Sequence, residues 1–207
     1  MSIKIERTQV YGLQPAIRGA RNPMNSWEKS DSYVDENGEF VMGPVDIDFA
    51  HRLVVAGSDH RKFLRQIFVS TDITAPLYWW KEFDTYKVGT VATCSTMHKI
   101  HAKPFGREDF SHDRLDARGL ALLDETIAYL ELERKKFLAD KEERQPWHNM
   151  IQMLPSSYNQ MRTVTLNYEN CLNMYHARKN HKLAEWRTLC DEIRKLPYFE
   201  QICLGGQ

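Results

Sequence analysis

The chain has 207 residues, 42% of them hydrophobic, and its 28 Lys plus Arg balance its 28 Asp plus Glu. That length and apolar content predict one domain, residues 1–207, with a sizeable core. Zero net charge argues against a general nucleic-acid or membrane-surface binder, which needs a basic excess. No run approaches the roughly 20 apolar residues of a membrane span, and the opening MSIKIERTQV lacks the apolar centre of a secretory signal. Cys94, Cys171, Cys190 and Cys203 form no C-x-x-C pair, so free thiols in a reducing cytoplasm are the simplest reading.

In chain order, residues 2–11 alternate apolar and polar and predict a first strand. Residues 12–44 are rich in Gly, Pro, Asn and Asp and read as loop, with a short helix near Pro15–Ala20 and a turn at Asn37-Gly38. Asp46–Ala56 predicts a helix stopped at Gly57, and Asp59 is placed to cap a short helix running through Leu64. Gln66–Thr74 is β-branched and aromatic and predicts a strand. Pro76 suits the first turn of a helix, PLYWWKEFDTY. Val88–Thr93 reads as a short extended run, and 98–113 as loop.

Arg114–Lys141 is the clearest amphipathic helix. Leu115, Leu122, Leu123, Ile127, Leu130 and Phe137 recur at helical spacing with charges between them. Another short helix precedes Leu154-Pro155. Arg162–Leu166 has strand character and leads into a helix beginning near Asn167, and a last helix runs from about Lys182 to Leu196. The pattern predicts an α+β, helix-rich fold with a small, mostly antiparallel sheet.

On the helix after Asn167, the residues Asn167, Cys171, Met174 and Arg178 fall at spacings of four, three and four, which is one face. A polar amide and a guanidinium bracket an apolar pair, an arrangement that suits an anionic or planar ligand. The cations from Arg178 to Lys182 also read plainly as the C-terminal end of a helix, where positive charge favours the macrodipole. Cys94, His98 and His101 give C-x3-H-x2-H without a completing half-site, so a zinc centre is not predicted. Cys94 stays open as a thiol nucleophile. Trp79 and Trp80 read as core, with a pocket wall for a flat ring as the alternative. Neither a Walker loop nor a dinucleotide fingerprint is present.

Several of these pieces together resemble the flavin-dependent thymidylate synthases. In that family a Leu-Pro precedes a strand, and the helix that follows opens on Asn-x-Arg. A further arginine lies nine residues on, ahead of an Ala-Gln-Trp-Glu-like segment. Here stand Leu154-Pro155, Thr163–Leu166, Asn167-Tyr168-Glu169, Arg178 and Ala184-Glu185-Trp186. The likeness runs from about Leu53 onward. The family's Arg-His-Arg-x-x-Ser-x-Asn-Glu-x-Ser-x-Arg-Tyr signature maps to 85–98, where Ser95 is identical and Lys87 and Thr90 are conservative.

The resemblance implies a homotetramer that binds FAD and dUMP and methylates the uracil with methylenetetrahydrofolate and NADPH. It implies Arg178 as the residue stabilising charge on the base, Lys87, Thr90 and Ser95 beside the nucleotide, and Asn167, Glu169 and Asn173 beside the flavin. Glu169 replaces an arginine and would repel cofactor phosphates unless a cation such as Arg65 intervenes. An altered pyrimidine-nucleotide substrate, or a non-catalytic protein retaining the fold, is the alternative expectation.

Overall fold

The computed structural model describes residues 3–86 and 89–206. Six strands lie among them: β1 (Lys4–Tyr11), β2 (Tyr33–Val34), β3 (Phe40–Val41), β4 (Phe68–Pro76), β5 (Thr90–Thr93) and β6 (Asn159–Asn167). The helices are α1 (Leu13–Ala20), α2 (Pro44–Val55), α3 (Leu77–Phe83), α4 (Ala117–Ala139), α5 (Gln145–Met153), α6 (Tyr168–Arg178) and α7 (Ala184–Arg194). The helix-rich α+β class predicted from the pattern is the one observed.

A four-stranded sheet has the order β1-β4-β6-β5, and β2 and β3 form a separate antiparallel ribbon. Strands β4 and β6 run in opposite directions. Ile67 O, just before β4, accepts from the N–H of Tyr168, just after β6, whereas Leu77 N–H, just after β4, donates to Tyr158 O, just before β6. In β4 the residues Val69, Thr71, Ile73 and Ala75 are buried at the strand period of two. Thr8 on β1 faces Thr71 with their hydroxyls 2.8 Å apart, and Arg7 reaches Asp72 at 2.7 Å, so β1 pairs antiparallel as well.

The described chain forms two compact units. One comprises residues 3–4, 73–86 and 92–162. Its core is carried by α4, on which Leu123, Leu130 and Phe137 recur every seven residues and pack with Met150 of α5 and with Phe105 and Phe110. Asp116 caps α4 by accepting from Gly119 N–H at 2.7 Å, which starts the helix at 117 rather than 114. Leu115 therefore precedes the helix and is exposed, and Leu122 on the neighbouring face is exposed too. Both depart from the expected apolar face. Trp79, Trp80 and Phe83 of α3 are buried core, with Trp80 Nε1 donating to Gln160 O at 2.9 Å. Pro76 ends β4 and precedes α3 instead of entering its first turn.

The second unit comprises residues 5–72, 89–91 and 163–206. Gly12 opens α1 with φ +87°, and a side chain there would collide with Gln66 O. The loop from 21 to 43 is fastened by a buried ion pair, Arg21 Nε to Asp46 Oδ1 at 2.7 Å, and the hydroxyls of Ser30 and Ser32 donate to the other carboxylate oxygen. Burial would raise the Asp46 pKa, but Ser30, Ser32 and Arg21 together hold it below the usual carboxylate value. Helix α2 starts two residues before the predicted Asp46, with Pro44 in its first turn. Asp59 caps nothing: a 3-10 helix runs from Arg61 to Gln66 behind His60 without a side-chain cap. Tyr168, Trp186 and Phe199 fill the core beside α6 and α7, and the Tyr168 hydroxyl donates to Pro197 O at 2.7 Å. A π-helical turn, Glu200–Leu204, follows.

Candidate functional site

Helix α6 starts where it does because Asn167 and Asn170 cap it reciprocally. Asn167 Oδ1 accepts from Asn170 N–H at 2.9 Å, and Asn170 Oδ1 accepts from Asn167 N–H at 3.2 Å. The Asn167 amide oxygen is thus committed to the helix end, which leaves its NH2 as the group able to meet a ligand. Cys171 and Met174, one and two turns on, are buried. Burial pushes the Cys171 thiol up to about 12 and the Cys190 thiol up to about 11. Neither is a thiolate near neutrality, which suits packing rather than nucleophilic chemistry.

Arg178 closes the stripe. Its guanidinium lies 4.6 Å from the ring centroid of Trp186, a fully buried side chain of α7. Stacking on a rigid aromatic face holds the planar cation in one orientation. The Trp186 position in the segment Ala184-Glu185-Trp186 thereby acquires a physical role, as the platform for Arg178.

A second cluster lies on the adjoining face of the helix. Glu169 accepts from Arg65 Nε at 2.7 Å and from Arg61 Nε at 3.5 Å, and Arg61 Nη2 donates to Asn173 Oδ1 at 3.3 Å. Three of the predicted cofactor residues, Arg65, Glu169 and Asn173, thus come together, with Arg61 as a member that sequence reading missed. The carboxylate that replaces a cation sits between two guanidiniums, so the cluster keeps one net positive charge. The 3-10 helix carries Arg61 and Arg65 four residues apart, and that spacing was the available signal.

Ser95 belongs to the other unit, where it lines a cavity of about 390 Å³ together with Cys94, Lys103, Asp109, Tyr158 and Gln160. The hydroxyl of Ser95 accepts from the N–H groups of Met97 and His98, at 3.2 and 2.9 Å, and orders the turn that follows β5. Gln160 Nε2 donates to Cys94 O at 2.6 Å and fixes the cavity's edge. Lys103 forms an ion pair with the buried Asp109, and this hydrogen bond holds its pKa above the usual lysine value. Burial raises the Tyr158 phenol as well. Lys103 lies in the stretch 98–113, read only as loop, so sequence spacing gave no reason to place it beside Ser95.

Among the other predicted positions, Thr90 is exposed on β5, and Lys87 lies outside the described residues. Cys94 and His98 are exposed, and His101 packs its ring edge-on against Phe137 at 4.9 Å. Among the described residues no three His, Cys, Asp or Glu side chains gather in a way that could hold a metal ion.

No protein family's sequence profile matches the chain, and no curated protein matches it in sequence. Solved structures do match its fold. Flavin-dependent thymidylate synthase ThyX from Helicobacter pylori, in two structures with FAD and dUMP, superposes with TM-scores of 0.68 and 0.72. The identities are 18% and 17%, over 98% of this chain in both and 98% and 97% of those chains. A UMP/dUMP methylase, PolB from Streptomyces cacaoi bound with 5-Br dUMP, superposes with a TM-score of 0.65 at 12% identity, over 99% of this chain and 95% of that one. The architecture is therefore one on which nucleotide methylases are built. More narrowly, the chain has the flavin-dependent thymidylate synthase fold.

Proposed function

We propose that this protein binds a pyrimidine nucleotide such as dUMP together with FAD and methylates the base reductively, with methylenetetrahydrofolate and NADPH as co-substrates. The observation that carries this reading is the cluster around Glu169. A lone carboxylate there would repel an anionic cofactor, whereas a carboxylate bound by Arg61 and Arg65 organises two phosphate-binding guanidiniums. The donor set thus fits the phosphates of FAD, with Asn173 and the NH2 of Asn167 as neutral partners. When bound, the flavin supplies the reducing equivalents of the methylation.

Arg178 has the separate task of stabilising negative charge that develops on the base. A guanidinium already held on Trp186 needs little reorganisation to do so. Ser95 and Lys103 offer a hydroxyl and a cation to the nucleotide phosphate, and Lys87 and Thr90 are assigned to the same ligand. The fold likeness spans nearly the whole chain, so we take residues 1–207 as one functional domain. It acts in the cytoplasm as a homo-oligomer, a tetramer by resemblance.

Purified protein is expected to be yellow, or to become so with added FAD, and calorimetry is expected to show dUMP binding. Arg178→Ala should lower dUMP affinity by about 100-fold, the scale for truncating one partner of a charged contact, with an unchanged circular dichroism spectrum. Colourless protein that neither quenches FAD fluorescence nor binds dUMP would overturn the enzyme reading and leave a non-catalytic protein that retains the fold. An altered pyrimidine substrate is read directly from the same titration with UMP and dCMP.

A further inference from the structure

A cavity of about 520 Å³ opens between α2, α6 and the π-helical turn at 200–204. That volume is within the range of small-molecule pockets, roughly 300–1,000 Å³. Its walls are of two kinds. Val54, Leu172, Leu204 and the Tyr175 ring supply apolar surface, Arg61, His176 and Lys179 supply nitrogen donors, and the His51 ring lies beside them. Among the described residues no carboxylate lines it.

Each polar group is held differently. His51 Nδ1 lies 3.1 Å from Ile202 O, and since a carbonyl only accepts, that nitrogen carries the proton. Gly205 makes the close approach of the C-terminal segment to this ring feasible: at φ +77° a side chain would come within about van der Waals contact of His51, tighter than ordinary packing. Lys179 Nζ lies 5.6 Å from the centroid of the Tyr175 ring. Neither Lys179 nor His176 has an acidic partner among the described residues. His176 feels the crowding of like charge: burial, then Lys179 and Arg61, lower its pKa. Lys179 and His176, set beside the Glu169-bound Arg61 around an apolar concavity that no carboxylate lines among the described residues, are a poor solution for stability and a good one for ligand binding.

We propose that this cavity is a further anion-binding site, which takes a small phosphate ester with a flat apolar body and seats the phosphate among Arg61, Lys179 and His176. The cations of α6 that sequence reading assigned to the helix end are, at Lys179, part of a pocket. Arg61 is shared with the cofactor cluster, but the assignment does not depend on flavin binding, because Lys179 and His176 have no part in that cluster.

Calorimetry on the full chain with AMP, adenosine and inorganic phosphate tests it. AMP should bind at least about tenfold more tightly than either fragment, the scale of one charge-assisted contact. Lys179→Ala and His176→Ala should each weaken AMP by about tenfold. Both side chains are exposed, so the circular dichroism melt should stay unchanged. Arg65→Gln should leave AMP affinity as it is. Equal binding of AMP and adenosine, equal binding of AMP and inorganic phosphate, no AMP binding, or wild-type AMP affinity in the two α6 variants would each overturn the proposal. Failure to bind FAD with AMP binding intact would overturn the flavin reading alone.

Discussion

The start of α6 and the end of β5 both depart from the motif they resemble, but they depart differently. At α6 the replaced residue, Glu169, is answered in space by Arg65 and Arg61, so local charge is rearranged rather than lost. Around Ser95 most of the charged signature residues are gone, and the two lysines that line the cavity, Lys4 and Lys103, share it with two carboxylates, Glu108 and the buried Asp109 that pairs with Lys103. The first region keeps a net cation in a preorganised cluster. The second keeps a polar cavity whose positive charge is largely offset. A sequence motif can therefore lose identity while its electrostatics survive, provided a partner is brought in from another element.

The largest expected effect tests how far α6 depends on its platform. Trp186→Ala removes a fully buried indole and should cost about 3–5 kcal/mol of stability in a denaturant melt. Arg178→Ala, on the rim of the same contact, should alter stability by less than about 1 kcal/mol while lowering dUMP affinity by about 100-fold. Equal losses of stability would mean that Arg178 is structural cement rather than a ligand-binding group.

Next in size is the charge rearrangement itself. Arg65→Gln should weaken FAD binding by about tenfold, the scale of a charge-assisted hydrogen bond. Glu169→Gln should weaken it too, by a few-fold, because it frees both guanidiniums from a fixed geometry. Tighter FAD binding in Glu169→Gln would show that the carboxylate repels the cofactor, and would break the contrast between the two regions. The smallest effect is expected at the other region: Lys103→Ala should lower dUMP affinity only a few-fold, since Asp109 already screens that cation. A loss as large as that of Arg178→Ala would place the main phosphate contact in the Ser95 cavity.

Much of the architecture was legible because local physics and tertiary packing agree. The long α4 pattern, the β-branched run of β4, and the glycine stop of α2 each named an element correctly. Boundaries failed where a cap decided them. Asp116 starts α4 two residues after Leu115, and Asp59 caps nothing. Asn167 was read as a ligand contact because the resemblance assigns it one, and the structure gives its oxygen the task of closing α6 with Asn170.

By itself the sequence determined the element order, the helix-rich α+β class, the common face of Cys171, Met174 and Arg178, and Glu169 as the residue needing an answer. The first three follow from helical and strand periodicity, which is local and one-dimensional, and the last from the family resemblance. Only the tertiary structure decided that Arg61 joins Arg65 on Glu169, that Trp186 carries Arg178, and that Lys103 and Lys179 line cavities. Those facts depend on contacts between residues as much as 108 positions apart. Charge and stacking act through distance in space, and only the folded chain sets that distance.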